Sequence, residues 1–319
     1  MIMPKRPPKV VNKISIKEMK DAIQGSGYLI EQRLEKILIK DGYYVETNPA
    51  FPDPDTGKSR EFDISALSAK RLYKKSFSFI FPNLLCECEN NSQPIVFFTK
   101  ESPISSLHRY EVKVSGLPVK FWEKDGYIGF SDFTKMEKFH HYCKAEVATQ
   151  YCTFFPPKGE KPWMAHHGDE QHDTLNTLIK VLEYKIADHY ADWDDWVLPR
   201  KIHEEEINIQ VYYPLLILQG DLYSATTAKR GPSLKKVKHI QFRKESFLPK
   251  SNKKEDYQID VITEDYLRNY LKIVESEMEK VIKVFKRKRK EILKSIEKIV
   301  KELKALKKKP KSYREYLEF

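Results

Sequence analysis

Apolar positions along this chain change their period several times, and each change predicts an element. Leu29, Ile30, Leu34, Ile37 and Leu38 recur at three- and four-residue steps, the buried stripe of a helix over about Ile16–Lys40. Gly25-Ser26-Gly27 marks a break or a start within it, and Asp41-Gly42 closes it. Tyr43–Thr47 then reads as a strand, and the Pro- and Asp-rich run Asn48–Gly57 as a turn. From Arg60 to Leu67 the alternation has period two, with Phe62 and Ile64 on one face and Glu61, Asp63 and Ser65 on the other. Leu84–Glu89 and Ile95–Phe98 predict two further strands on either side of an Asn-Asn-Ser turn.

The middle of the chain is less regular. Tyr110–Trp122 and Tyr127–Phe130 predict short strands, and Phe133–Gln150 a helix. Leu175, Leu178, Ile179, Leu182 and Ile186 lie on one side of a helix over Glu170–Tyr190, which Asp192–Pro199 ends. Strands follow at Ile207–Leu218, Leu222–Ala225, Val237–Arg243 and Tyr257–Ile262. From Thr263 a heptad-like seam runs through Leu271, Val274, Met278, Ile282, Phe285, Arg289, Ile292, Ile296, Ile299, Leu303 and Leu306. One continuous helix along this seam is about 54 Å long at 1.5 Å per residue and overhangs a core of this size. The predicted class is α/β, with an arm over 1–15, a core over 16–262 and a long C-terminal helix over 263–319.

Charge refines this layout. The net charge is +11, but 279–319 carries sixteen Lys and Arg against six acids, so the remaining residues are close to neutral. Attraction to polyanions, nucleic acid above all, therefore belongs to the tail, whose apolar seam also suits a second copy of the chain or a partner protein. The competing reading is a helix packed on its own domain with solvated lysines. The Pro-rich start has no apolar signal segment, and the longest apolar run, Val211–Leu218, contains Pro214 and is too short for a bilayer. Four cysteines without a CxxC pair fit a reducing compartment, and the expectation is a soluble cytoplasmic protein. There is no phosphate-binding glycine loop and no GxSxG elbow.

Candidate chemistry centres on Asn83–Asn91. On a strand, Glu87 and Glu89 point one way and Cys86 and Cys88 the other, about 7 Å separating alternate positions. Two carboxylates on an apolar strand repel each other and resist desolvation unless a cation or water relieves them. The bland alternative is an edge strand with one face in water. His140, His141, Cys143, Cys152, His166, His167 and His172 offer zinc-ligand types, but their spacings match no standard finger, and a zinc-stabilised interaction module is the weaker alternative.

A helix with Glu31, a strand, a strand with Asp63 and a strand with Glu87-Cys88-Glu89 together resemble the restriction-endonuclease-like superfamily, the PD-(D/E)-x-K nucleases. The likeness covers about residues 20–100. The 170–190 helix and the 207–262 strands would complete the core, with 100–169 as an insertion. It implies a mixed central sheet with flanking helices and a nuclease, acting on DNA in preference to RNA, that uses Mg2+ or Mn2+. Asp63 matches the motif aspartate, Glu87 the D/E position, Cys88 the spacer and Glu31 the helix carboxylate. Phe62 stands at the loosely kept proline position. Glu89 stands where the family's water-activating lysine belongs, as it does in some active members, and would hold a second metal ion or accept a proton. The alternative on the same fold is a catalytically inactive protein of nucleic-acid binding or assembly.

Overall fold

The computed structural model describes residues 13–26, 28–74, 76–101, 112–124, 126–143, 146–155, 162–197, 207–229, 231–248 and 253–305. Most of the expected arm, the loop near 156–161 and the lysine tail beyond 305 lie outside them. The chain opens with α1 (Ile16–Gly25), α2 (Tyr28–Lys40), β1 (Tyr44–Thr47), β2 (Ala50–Pro52), β3 (Ser59–Glu61), β4 (Ile64–Leu67), β5 (Lys70–Arg71) and β6 (Phe79–Glu89). It continues with β7 (Ile95–Glu101), β8 (Val114–Leu117), β9 (Lys120–Glu123), β10 (Gly126–Gly129), α3 (Phe130–Thr134), β11 (Glu146–Phe155), β12 (Met164–His166) and α4 (Asp169–Val197). The last elements are β13 (Asn208–Leu218), β14 (Leu222–Ala228), β15 (Gly231–Val237), β16 (His239–Leu248), β17 (Lys253–Thr263), α5 (Leu267–Arg287) and α6 (Arg289–Ala305).

The fold is α/β, with one large mixed sheet in the order β1-β4-β6-β13-β17-β16-β11-β7-β14-β15. Strand β13 is its spine. It pairs in parallel with β6 over its whole length, from Asn208 opposite Phe79 to Leu218 opposite Glu89. Its other edge is shared, antiparallel to β8 at Asn208–Val211 and parallel to β17 at Leu215–Leu218. Val211 to Leu218 are buried, the near-continuous apolar run expected of a parallel strand covered on both faces.

The two faces are covered by different helices. Leu216, opposite both Glu87 and Val261, lies on the face of Tyr212 and Tyr257. There α4 packs, with Tyr212 Oη donating to the Lys185 carbonyl at 3.2 Å and Tyr257 Oη to Glu183 at 3.0 Å. Leu215, opposite Cys86 and Asp260, shares the other face with Tyr213, whose hydroxyl donates to Glu277 of α5 at 3.2 Å. Arg33 of α2 is bidentate to Glu264 just before α5.

The segment over 100–169 contributes strands to the main sheet itself, with β8 paired to β13 and β11 lying between β16 and β7. Two expectations are revised. The helix expected from Phe133 to Gln150 stops at Thr134, where Lys135 turns left-handed at φ 61°, and Glu146 already begins β11. Burial of Phe133, stacked on Phe121 at 3.8 Å, and of Met136 outweighs local helical preference. The final helix is two helices rather than one. It breaks at Lys288 (φ −99°, ψ 28°), and α6 then lies on the β9–β10 hairpin, with Ser295 Oγ accepting from Trp122 N at 2.9 Å.

The seam thus faces inward: Leu271, Val274, Met278, Phe285, Ile292, Ile296 and Ile299 are all buried. Its lysines are the outer side of a docked helix pair. Helix α1, in contrast, buries none of its residues despite a capping box between Ser15 and Glu18. Among the described residues, no helix is long and apolar enough to cross a membrane.

Phe285 joins Phe121, Phe130 and Phe133 in one aromatic cluster and has no exposed surface. Phe285→Ala is therefore expected to cost about 3–5 kcal/mol of stability. Exposed Lys283→Ala should change it by less than about 0.5 kcal/mol. Urea denaturation of both variants checks this, and a small effect at Phe285 would mean that α5 and α6 are not docked as described.

Candidate active site

The antiparallel register of β4 and β6 sets Ile64 opposite Cys86. One residue before the start of β4, the same register brings Asp63 level with Glu87. Asp63 lies in the short break between β3 and β4, so its side chain folds back over β6, and its Oδ2 accepts the Cys88 amide at 2.6 Å. Asp63 and Glu87 are hydrogen-bonded through their side chains.

Two further acids flank this pair. Glu89, on the same face of β6, is buried, and its Oε2 accepts from Gln171 near the start of α4 at 3.1 Å. Glu31 of α2 is held by Asn48 Nδ2 at 3.5 Å and acts electrostatically on both Asp63 and Glu87. The four acids expected from the sequence therefore lie toward one end of the strands, but among the described residues no three of them, the expected Asp63, Glu87 and Glu89 set included, bring ligand atoms within 4.8 Å of one another. Asp63 and Glu87 form the contact pair, with Glu31 and Glu89 on its flanks. Asn48 and Gln171 carried no sequence signal, because an amide becomes a tether only once a distant element is packed beside it.

The electrostatics follow from this crowding. Burial, then the charge of Asp63 and its hydrogen bond, then Glu89 and Glu31, push the Glu87 carboxyl up to about 9. Burial also raises Asp63 above the ordinary carboxylate range, against the lowering effect of the Cys88 amide. For Glu31, burial and the charge of Asp63 act in the same upward direction. The charges that act on Glu87, those of Asp63, Glu89 and Glu31, are all acidic. Close carboxyls repel each other when both are ionised, which is why the charge of Asp63 adds to burial in raising Glu87.

The His/Cys stretch is divided in the structure. His166 stacks on Phe155 at 3.7 Å, and His167 lies beside Tyr151 at 4.2 Å. His140 and His141 instead enter a buried network on the opposite face of the sheet. Among the described residues, two groups have ligand atoms within 4.8 Å of one another: His140, His141 and Glu277, and His141, His239 and Asp260. Neither contains a cysteine, so the expected Cys/His zinc set does not assemble as such.

His141 Nδ1 is 2.8 Å from Glu277 Oε1, and its Nε2 is 2.9 Å from Asp260 Oδ2. His239 Nε2 lies 2.7 Å from Asp260 Oδ1, and Tyr270 Oη donates to Asp260 Oδ2 at 2.5 Å. Burial alone would lower His141, but the two carboxylates reverse this and hold it protonated, at about 10. His140 is pushed down to about 4 by burial in spite of Glu277. Burial works against the charge of Asp260, yet His141 and His239 keep it well below the usual carboxylate range. Asp260, Glu277 and His239 were missed in the sequence. The signal for the two acids was a charged residue inside an apolar pattern, Asp260 between Ile259 and Val261 and Glu277 beside Met278 on the seam.

The raised Glu87 carboxyl has a consequence for stability. A group bound to its proton more tightly in the folded than in the unfolded chain contributes fully below its unfolded value and loses that contribution as pH rises through its folded value. From about 4.5 up to about 9, Glu87 therefore destabilises the metal-free chain progressively. Glu87→Gln, which stays neutral, should show a smaller fall in melting temperature over this range than the wild type. Parallel slopes for the two proteins would mean that Glu87 is ionised throughout.

No protein-family model, curated protein or solved structure matches this chain.

Proposed function

We propose that this chain is a metal-dependent nuclease hydrolysing phosphodiester bonds, DNA before RNA, with Asp63 and Glu87 as ligands of Mg2+ or Mn2+. The observation that carries the reading is the half-buried Asp63–Glu87 contact pair, flanked by two further acids. The arrangement of elements also supports it. A helix, three antiparallel strands, a helix and a strand parallel to the third make up α2, β1, β4, β6, α4 and β13, the order expected of a restriction-endonuclease-like core.

The donor set fits the ion. Mg2+ takes oxygen ligands, commonly one or two carboxylates with the rest from water and substrate phosphate, so the Asp63–Glu87 pair suffices without a fully converged cage. A bound divalent ion would lower the pKa of a ligated water and neutralise charge on the phosphate. Asp63, held by the Cys88 amide, and Glu87, set by the sheet register, would supply two of the ligand oxygens, and Glu87 would have to be deprotonated to do so. Glu89, tethered by Gln171, has the position of the family's lysine and serves as a proton acceptor or outer ligand. Glu31, restrained by Asn48, adds negative potential that draws the cation in.

Cleavage of mixed DNA and RNA substrates in the presence of Mg2+ or Mn2+ tests this reading. Asp63→Ala and Glu87→Ala are each expected to lower the rate by about 100-fold or more, in line with the several kcal/mol that metal activation supplies. Unchanged cleavage in both variants would assign the activity elsewhere. Absence of cleavage on every substrate would favour the inactive assembly protein.

Polyanion affinity is assigned to the outer side of α5 and α6, where Lys283, Lys286, Lys290 and Lys294 are exposed. Truncating this region would uncover the buried seam, so charge substitution is the cleaner experiment. Changing these four lysines to Gln should flatten the log–log salt dependence of duplex DNA binding by about 3–4, at about 0.9 for each phosphate no longer neutralised. An unaltered slope would mean that these lysines only solvate the helices.

A further inference from the structure

We propose that His141, His239 and Asp260 form a transition-metal site, with Zn2+ the fitting ion, on the face of the sheet opposite the acid pair. The three ligand atoms belong to three separate parts of the chain, the turn after α3, the first residue of β16 and the middle of β17. They converge within 4.8 Å of one another. Two imidazole nitrogens and one carboxylate are a ligand set for zinc and related ions, not for Mg2+.

The surroundings are those that ligands need. His141 presents Nε2 to the site while its Nδ1 is 2.8 Å from Glu277 Oε1, the carboxylate contact that orients a metal-binding histidine. Glu277 is in turn anchored by the His141 amide at 2.7 Å and the Tyr213 hydroxyl at 3.2 Å, with His140 Nε2 3.3 Å away. These donors make Glu277 a holder of His141 rather than a ligand, which selects the His141–His239–Asp260 group over the other. Asp260 keeps the Tyr270 hydroxyl as its own outer partner.

The spacing agrees with a small ion. His141 Nε2 and His239 Nε2 each approach a different oxygen of Asp260, at 2.9 and 2.7 Å. Bonds of about 2.0–2.1 Å in a tetrahedral shell set ligand atoms about 3.3 Å apart, so each contact has to open by about half an ångström. A cation would take the place of the two N–H hydrogens now directed at Asp260. His239, 21% exposed while Asp260 is fully buried, provides the entry. Three protein ligands leave a coordination position for water.

Metal content of the full-length protein tests the site. Protein stripped with a chelator, dialysed against Zn2+ and desalted should retain about one zinc per chain by elemental analysis. Co2+ in its place should give the visible absorption of a four- or five-coordinate ion. His239→Ala should keep the wild-type circular dichroism spectrum and lose zinc affinity at least tenfold, while Asp63→Ala should keep its zinc. If His239→Ala unfolds, His239→Phe is read in the same way, since it preserves the ring stack on Tyr266 and removes the nitrogen. A wild-type chain that retains no zinc overturns the proposal and leaves an internal ion-pair network. Zinc retained without the His239 imidazole, or lost in Asp63→Ala, overturns it by placing the ion elsewhere.

Discussion

The constraint on which the structure depends is the full-length parallel pairing of β6 with β13. Every residue from Asn208 to Leu218 has a partner on β6, and from Val211 onward β13 is buried on both faces. A one-residue slip would exchange the two faces of β13 relative to β6. It would also set the apolar residues that α4 and α5 cover against the wrong helices. The same register aligns Glu87 with Leu216 and Cys86 with Leu215, which assigns the acid pair to the α4 face and Asp260 to the α5 face.

The two faces solve the problem of buried charge in different ways. On one, Asp63 and Glu87 lie among acids, and burial raises both carboxyls, with the charge of Asp63 adding at Glu87. On the other, Asp260 and Glu277 are interleaved with histidines and remain ionised. A buried charge left without a partner would be costly, so each residue of that network depends on the others.

The C-terminal helices show how one pattern serves two purposes. Their apolar stripe closes the Cys86 side of the sheet and the β9–β10 hairpin, while the lysines between its apolar positions remain in water. The break at Lys288 lets the stripe change partner from sheet to hairpin, and Lys288 Nζ secures the corner through Glu123 at 2.7 Å.

The sequence by itself determined the α/β class, the α2 stripe, most strands and the acidic character of Asp63, Glu87, Glu89 and Glu31, because periodicity and side-chain chemistry are local. It also carried the Glu87–Glu89 face relation, since strand alternation is a property of the backbone. Tertiary structure decided which strands are neighbours. Strands β6 and β7, adjacent in sequence, are not neighbours in the sheet order, because β13, β17, β16 and β11 come between them. It decided that the segment after 100 is sheet, that the final helix bends at Lys288, and that Gln171 and Asn48 tether Glu89 and Glu31. It also brought His141, His239, Asp260 and Glu277 together from well-separated positions. The physical reason is common to all of these. Long-range pairing and burial are set by the global register of the sheet, and no local window of sequence contains the partner that fixes it.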